Sequence, residues 1–382
     1  MEKIIYADHS ATTYVKPEVL EEMLPFFSTN FGNPSSMYSL GRTSKEAVEK
    51  SRKQVAKAIG AKCKDEIYFT SGGSEADNMI IKGIARANRN KGNHIITTKI
   101  EHPAVLNTCK SLEKEGFEIT YLGVNSKGFI NINDLKNAIK DETILISIMF
   151  ANSEIGTIQN IKEIGKLARF KEIYFHTDAV QAIGNVNIDV NDMCIDALSL
   201  SAHKFYGPKG IGAAYINKKV KFDNLICGGH QERSKRAGTE NVPAIVGLGK
   251  AIEIASQNVE KYNEKLLGLR NHFIENLKEK IDGIVINGDL ERRLPGNVNV
   301  TLPNIDSETM LIMLDMNGIC ASAGSACTTT SVNPSHVLTA IGLNEKTAKC
   351  SLRFTFGEEN TIEDVDFIIE NIVNICKKLE SK

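Results

Sequence analysis

From residue 67 to 216, short apolar runs rich in β-branched and aromatic residues alternate with segments whose apolar positions recur every three or four residues. "EIYFT" leads into "SEADNMIIKGIARANR", and "HIITTK" into "HPAVLNTCKSLEKEG". "FEITYLGV", the helix-like "DLKNAIK", "TILISIMF" with "IKEIGKLARF", "IYFHTDAV", "IDALSLSAH" and "GAAYIN" complete the series. This alternation predicts βαβ units and a mostly parallel sheet covered by helices, with reactive groups at the carboxyl ends of the strands. Residues 244–281 read as a long amphipathic helical stretch interrupted by glycine. After it come "IVING", "NVNVTLP", the helix-like "SETMLIMLDMNG", "SLRFTFG" and a last helix, "TIEDVDFIIENIVNICKKLES". The expected architecture is α/β, a large domain with a mainly parallel sheet plus a smaller α/β domain.

A chain of 382 residues, 42% apolar, can bury two cores of this kind. Lys and Arg total 46 against 47 Asp and Glu, a net charge of −1, so no basic field attracts a polyanion and direct nucleic-acid binding is not expected. The start, "MEKIIYADHS", has no signal-peptide pattern, and no apolar run approaches the ~20 residues that span a bilayer, so no membrane association and a cytoplasmic location are expected. Eight cysteines are scattered without CxxC pairs or histidine clusters, which suggests reduced thiols and no metal site.

Four strand ends carry candidate chemistry. In "FTSGGSEADN" a strand ends in Ser-Gly-Gly-Ser and a helix begins. Free N–H groups and the helix dipole there favour a phosphate, although an ordinary glycine turn with Ser74 as N-cap fits equally. His102 in "KIEHPAV" lies just past a strand, where a structural histidine is the commoner case. Asp178 and Gln181 in "FHTDAVQAIG" follow a β run, and a carboxylate so placed needs a cation or several hydrogen bonds. In "SLSAHKFYGPKGIG", Lys204 follows an apolar strand, where partial desolvation helps keep an amine neutral and able to attack a carbonyl. Lys209 sits in a Gly-Pro-Lys-Gly turn suited to a solvated role. A phosphate cradle, a ring-facing histidine, an aspartate for a pyridine nitrogen and a Schiff-base lysine together make a site for pyridoxal phosphate.

The ordered motifs "YADHSATT", "TSGGSEADN", "EHPAV", "NSEIGTIQ", "HTDAVQAIG", "SLSAHKFYGPKGIG", "RAGTEN", "SAGSACTTTSVNPSHVL" and "SLRFTFG" resemble the NifS/IscS-like cysteine desulfurases of the class V aminotransferase group. The resemblance covers nearly the whole chain. It implies the type I pyridoxal phosphate-dependent transferase fold, a homodimer with its site at the subunit interface, and a division into a large cofactor-binding domain, 15–258, and a small domain, 1–14 with 259–382. By the same resemblance Lys204 bonds the cofactor, Asp178 partners the ring nitrogen, Gln181 the phenolic oxygen, and His102 stacks on the ring and moves protons. Gly73, Ser74, Ser201 and His203 match phosphate-binding positions, and Thr239 matches one supplied by the neighbouring subunit. Asn152 and Arg353 match the pair that holds the substrate carboxylate, a task suited to a guanidinium fork. Cys327 matches the nucleophile that takes sulfur from L-cysteine as a persulfide, leaving L-alanine, and it lies in a Gly/Ser/Ala/Thr-rich run expected to be a loop.

The stretch from Cys327 to Leu338 has the longer form of the group that passes sulfur to partner proteins. An iron–sulfur scaffold, a tRNA thiolation enzyme and a thiamine-pathway carrier are all candidate acceptors, and at "CKKLESK" the resemblance leads one to expect that some of the extension with which several relatives dock a scaffold is missing. A selenocysteine lyase or cysteine-sulfinate-type enzyme on the same fold would not need the Cys327 persulfide, and an aminotransferase would need a keto acid. A non-catalytic binding module predicts a broken constellation. The role of His9 is left open.

Overall fold

The computed structural model describes residues 4–324 and 334–380. Twelve strands are present among the described residues: β1 (Ile5–Tyr6), β2 (Ile67–Thr70), β3 (His94–Thr98), β4 (Glu118–Leu122), β5 (Thr143–Ser147), β6 (Tyr174–Asp178), β7 (Ala197–Ser201), β8 (Gly212–Ile216), β9 (Val285–Ile286), β10 (Asn297–Thr301), β11 (Ile319–Cys320) and β12 (Ser351–Thr355). Seven of them form one sheet in the order β2-β8-β7-β6-β5-β3-β4. Every neighbouring pair is parallel except those involving β8, which runs antiparallel to both β2 and β7. This is the mainly parallel α/β architecture expected from the alternating pattern.

Strands β3, β5, β7 and β8 are buried along their whole length, because helices cover both faces of the sheet. On one face lie Gly73–Ala87 and Pro103–Lys114, which contribute Ala76, Met79, Ile80, Ile84, Val105, Cys109 and Leu112 to a continuous apolar cluster. Their spacing of three and four residues puts these side chains on one helical stripe. The opposite face is covered by Ser39–Ala58, Ile161–Phe170 and Val242–Gln257, through Val48, Val55, Ile164, Ile245, Leu248 and Ile252.

Ser39–Ala58 did not announce itself in the sequence, since its lysines, glutamates and arginines outnumber the apolar positions that anchor it. The helical stretch around 244–281 is two helices, Val242–Gln257 and Val259–Lys280. They divide at Asn258 and not at a glycine: Asn258 leaves helical geometry and its side-chain amide donates to the Ile254 carbonyl at 2.8 Å. A second apolar cluster joins Ile5 and Ala7 to Leu266, Phe273, Val298, Val300, Leu352, Phe354 and Ile369. It is built on the antiparallel order β12-β10-β9, with β1 paired in parallel to β11.

Register sets the level at which the site forms. Asp178 pairs with Ser199, while Ser201 and Thr70 both pair with Gly212, so β2, β6 and β7 end side by side. Gly212 has no room for a side chain: a Cβ would stand 2.5 Å from the Leu200 carbonyl oxygen and 2.7 Å from the Gly72 backbone. That close approach lets the turn after β2 cross over the end of β8.

Candidate active site

The ends of β2, β6 and β7 open onto a cavity of about 220 Å³ lined by, among others, Gly73, His102, Asp178, Ser201, Lys204 and Arg353. Ser74, Gln181 and His203 also line it. Lys204 ends a single 3₁₀ turn after β7, and its ammonium donates to the Ser10 and Ala11 carbonyls at 2.5 and 2.7 Å. Lys209, five residues on, is exposed.

The N-terminal segment therefore forms the wall against which Lys204 rests. Gln181 Nε2 donates to the same Ser10 carbonyl at 3.0 Å. Two residues earlier, Asp8 receives Arg353 Nη2 at 2.7 Å and the Ser322 hydroxyl at 2.7 Å. His9 is held between the Thr355 carbonyl at 2.8 Å and the Glu359 carboxylate at 2.6 Å. Its ring faces two acceptors, which gives the histidine that the sequence left open an anchoring place beside the cavity.

His102 caps the helix Pro103–Lys114. Its Nδ1 accepts the Ala104 N–H at 3.1 Å, so in the neutral ring the proton sits on Nε2. Burial holds the His102 pKa below the usual histidine value, and Lys204 and His336 push the same way against Asp178. A neutral imidazole suits stacking on a cationic ring. Burial pushes His203 down to about 4, with Lys204 and Lys209 adding to it, so it too is a neutral donor, and its Nδ1 is 3.1 Å from the Thr12 hydroxyl.

The acids of the site divide. Burial raises Asp178, opposed by His102, the Val180 N–H and Lys204, which leaves a carboxylate ready to gain from a cation brought against it. Asp77 is 1% exposed, and its pKa is driven well above the carboxylate range by burial and then by Asp178. His176 stands 3.7 Å from Asp77, but burial pushes the ring down to about 3 and two serine hydroxyls, Ser147 and Ser199, flank it at 2.9 Å each. Burial thus works against charge on both partners of this contact.

Glu101, next to His102, accepts the Thr98 hydroxyl at 2.7 Å and the Met149 N–H at 3.0 Å on one oxygen. Its other oxygen has no partner among the described residues, and burial lifts its pKa to about 8. From pH 4.5 to 8 the folded chain therefore keeps a proton that the unfolded chain has released, so this group's contribution to stability falls as pH rises across that window. Glu101→Gln removes the dependence. The variant is expected to match wild type near pH 4.5 and to exceed it at pH 8 by on the order of a few kcal/mol, read as thermal midpoints across that range.

A model of the aminotransferase class-V family matches residues 5–368 of the chain. The cysteine desulfurase IscS of Clostridium botulinum strain Hall is 61% identical over 380 residues, which is 99% of this chain and 96% of that protein. The chain belongs to the aminotransferase class-V family. Among solved structures, a NifS-like protein superposes with a TM-score of 0.93 at 38% identity, over 98% of this chain and all of that one. SspA in complex with cysteine gives a TM-score of 0.83 at 38% identity, over 93% and 99%.

The cofactor of this family of enzymes is pyridoxal 5′-phosphate, and the cavity fits it. The helix Gly73–Ala87 begins at the cavity without a side-chain cap, which leaves its first N–H groups for a phosphate. The cap position is Gly72, not Ser74. A Cβ on Gly73 would stand 2.6 Å from the Val180 side chain, and one on Gly72 would stand 3.8 Å from Ser201 Oγ, so the strand–helix turn packs against the ends of β6 and β7. His102 and Asp178 line the same cavity as this helix start.

One expected pairing, Asn152 with Arg353, is not assembled, and Thr239, expected to serve a neighbouring subunit, lies outside the cavity of its own chain. Asn152 does not line the cavity with Arg353: its amide donates to the Ile100 carbonyl and accepts the Glu154 and Ile155 N–H groups, so it ties its own loop to the turn after β3. Thr239 is exposed and lies in a neighbouring cavity of about 160 Å³ with Ser71, Gly210 and Arg236. Cys327 lies outside the described residues. The sequence reading gave no role to Asp8, Ser10, Asp77 and Glu101; all four lie inside quoted motifs, but only burial marks them.

Proposed function

We propose that in this pyridoxal phosphate-dependent cysteine desulfurase Lys204, Asp178, His102 and Arg353 act on L-cysteine and Cys327 takes up its sulfur. The observation that carries the reading is the meeting of those four residues around one cavity beside an uncapped helix N-terminus. Gly73, Ser74, Ser201 and His203 hold the phosphate, and Gln181 the phenolic oxygen. Pyridoxal phosphate, when bound, supplies an electron sink for the negative charge that forms at the substrate Cα.

Arg353 receives the substrate carboxylate. Its Nε is buried without a partner among the described residues, while Asp8 and the Ser153 carbonyl orient the rest of the guanidinium. Lys204, released to neutrality, removes the Cα proton, and the Asp178 carboxylate keeps the proton on the ring nitrogen. The Cys327 thiolate attacks the substrate sulfur as the Cβ–S bond breaks. The electron pair and a proton go to Cβ, so that L-cysteine and a thiol become L-alanine and a persulfide. Arg353→Lys keeps the charge but loses the fork. Its KM for L-cysteine is expected to rise about 10- to 100-fold with a smaller change in kcat, measured by alanine release.

The acceptor of the persulfide sulfur is a partner protein, of the iron–sulfur scaffold or tRNA thiolation class. We place the enzyme in the cytoplasm: no described helix is long and apolar enough to cross a membrane, and no disulfide joins two described cysteines. The division into domains 15–258 and 1–14 with 259–382 is supported by the separate apolar cluster that joins Ile5 to Phe273 and Ile369. A homodimer is supported by the apolar side chains exposed along 24–38, among them Phe27, Phe31 at 67% and Met37 at 90%, and by the position of Thr239 outside its own cavity. The test is mass spectrometry of the holoenzyme after L-cysteine without reductant, beside an alanine assay. One added sulfur on the peptide containing Cys327, with alanine released, is expected; alanine without that adduct removes the persulfide step.

A further inference from the structure

Three consecutive non-glycine residues, Glu232, Arg233 and Ser234, hold left-handed backbone angles, φ 45°, 58° and 62°. Each is disfavoured by crowding between Cβ and the carbonyl, so such a run persists only where surrounding contacts enforce it. The contacts are specific. Glu232, 6% exposed, receives Arg52 through two nitrogens at 2.7 Å each and the Phe69 N–H at 2.9 Å. Arg52, 3% exposed, also donates to the Ile67 carbonyl at 2.8 Å, and Arg233 donates to the same oxygen at 2.6 Å. Farther along, Arg236 pairs with Glu75 at 2.8 and 3.1 Å, and Glu75 accepts the Ser71 N–H at 2.8 Å.

The segment 232–236 is thus fastened to both halves of the strand–turn–helix unit that presents Gly73 and Ser74. A buried ion pair adds little stability over well-packed apolar side chains, and its use in a strained segment points to geometry as its role. Three residues beyond Arg236 stands Thr239, exposed, and then Asn241, whose side chain caps the next helix by accepting the Ala244 N–H. Thr239 is held from both sides and lines a cavity other than the one with Lys204.

We propose that the buried Arg52–Glu232 pair is a positioning device that aims Thr239 at the cofactor phosphate of a second copy of the chain. The inference rests on the dimer reading of Thr239 above. Glu232 acts in trans: its loss weakens the site of the other subunit, not the one built on its own Lys204.

The experiment is subunit complementation, read as cofactor retention. Differently tagged subunits are co-expressed, one Glu232→Gln with Lys204 intact and the other Lys204→Ala with Glu232 intact. Homodimers and heterodimers are purified, titrated with pyridoxal phosphate and fixed with borohydride, and the label on Lys204 is weighed. The Glu232→Gln homodimer is expected to bind the cofactor about tenfold more weakly while remaining dimeric, as befits loss of a charge-assisted pair. In the heterodimer, the Lys204 of the Glu232→Gln subunit is expected to regain wild-type labelling. Amide exchange of residues 228–240 in the cofactor-free homodimer should rise. Unchanged binding by the homodimer overturns the proposal, as does weakened binding that the heterodimer does not restore. Thr239→Ala in the same scheme separates the two readings: if its defect is not restored in the heterodimer, the dimer reading itself fails. Arg52→Lys, which keeps the charge and loses the two-nitrogen contact, stands in with the same expected outcomes if Glu232→Gln does not fold.

Discussion

Lys204→Ala is expected to lower alanine formation from L-cysteine by on the order of 10³ to 10⁴-fold while the protein stays folded and still binds pyridoxal phosphate. The Lys204 ammonium contributes two hydrogen bonds to carbonyls of the N-terminal segment, but that segment is also held by Asp8 to Arg353, by His9 to Glu359 and by the Ser10 N–H to the Thr355 hydroxyl at 2.9 Å. Removing one amine therefore leaves the wall standing and takes away the group proposed to accept the Cα proton. Methylamine added to the variant should restore part of the rate, because a small amine can occupy the space left and accept the same proton. Recovery that tracks the concentration of free amine would identify the missing function as base catalysis. A Lys204→Ala protein with near wild-type turnover would remove this residue from the mechanism.

Cys327→Ala carries the second large effect, a fall of roughly two orders of magnitude or more in alanine release. Without the thiolate nothing accepts the substrate sulfur, so the Cβ–S bond has no route to break, although the Cα proton can still exchange. The variant should therefore incorporate deuterium at the Cα of recovered L-cysteine while forming little alanine and no persulfide. That split between exchange and turnover separates a desulfurase from a selenocysteine lyase-type enzyme, which would keep its turnover. Wild type and variant are compared by mass spectrometry of enzyme, amino acid and product in one incubation.

Legible along the chain were the features that depend on neighbours. Strands such as β3 and β5 are β-branched and apolar-rich runs buried throughout because both sheet faces are covered, and the helices flanking them carry apolar positions at three- and four-residue spacing. Lys204, Asp178 and His102 were legible for the same reason: each follows a strand, and parallel strands end together. The resemblance to a family then gave those positions their roles, and it supplied Cys327, Arg353 and Thr239, which no local pattern marks.

Tertiary structure decided what depends on distant parts of the chain. Arg353 meets Asp8 across 345 positions, Lys204 meets Ser10 across 194, and Arg52 meets Glu232 across 180. No spacing rule reaches so far, because such contacts exist only once the sheet has closed. The states of Asp77, Glu101 and His176 belong to the same class. An isolated carboxyl or imidazole titrates near its ordinary value, and it is removal from water inside the fold that pushes these acids up and this ring down. Asn152 shows the converse: a residue whose type suits a carboxylate is committed to backbone groups of its own loop and of the turn after β3, partners that only the folded backbone offers.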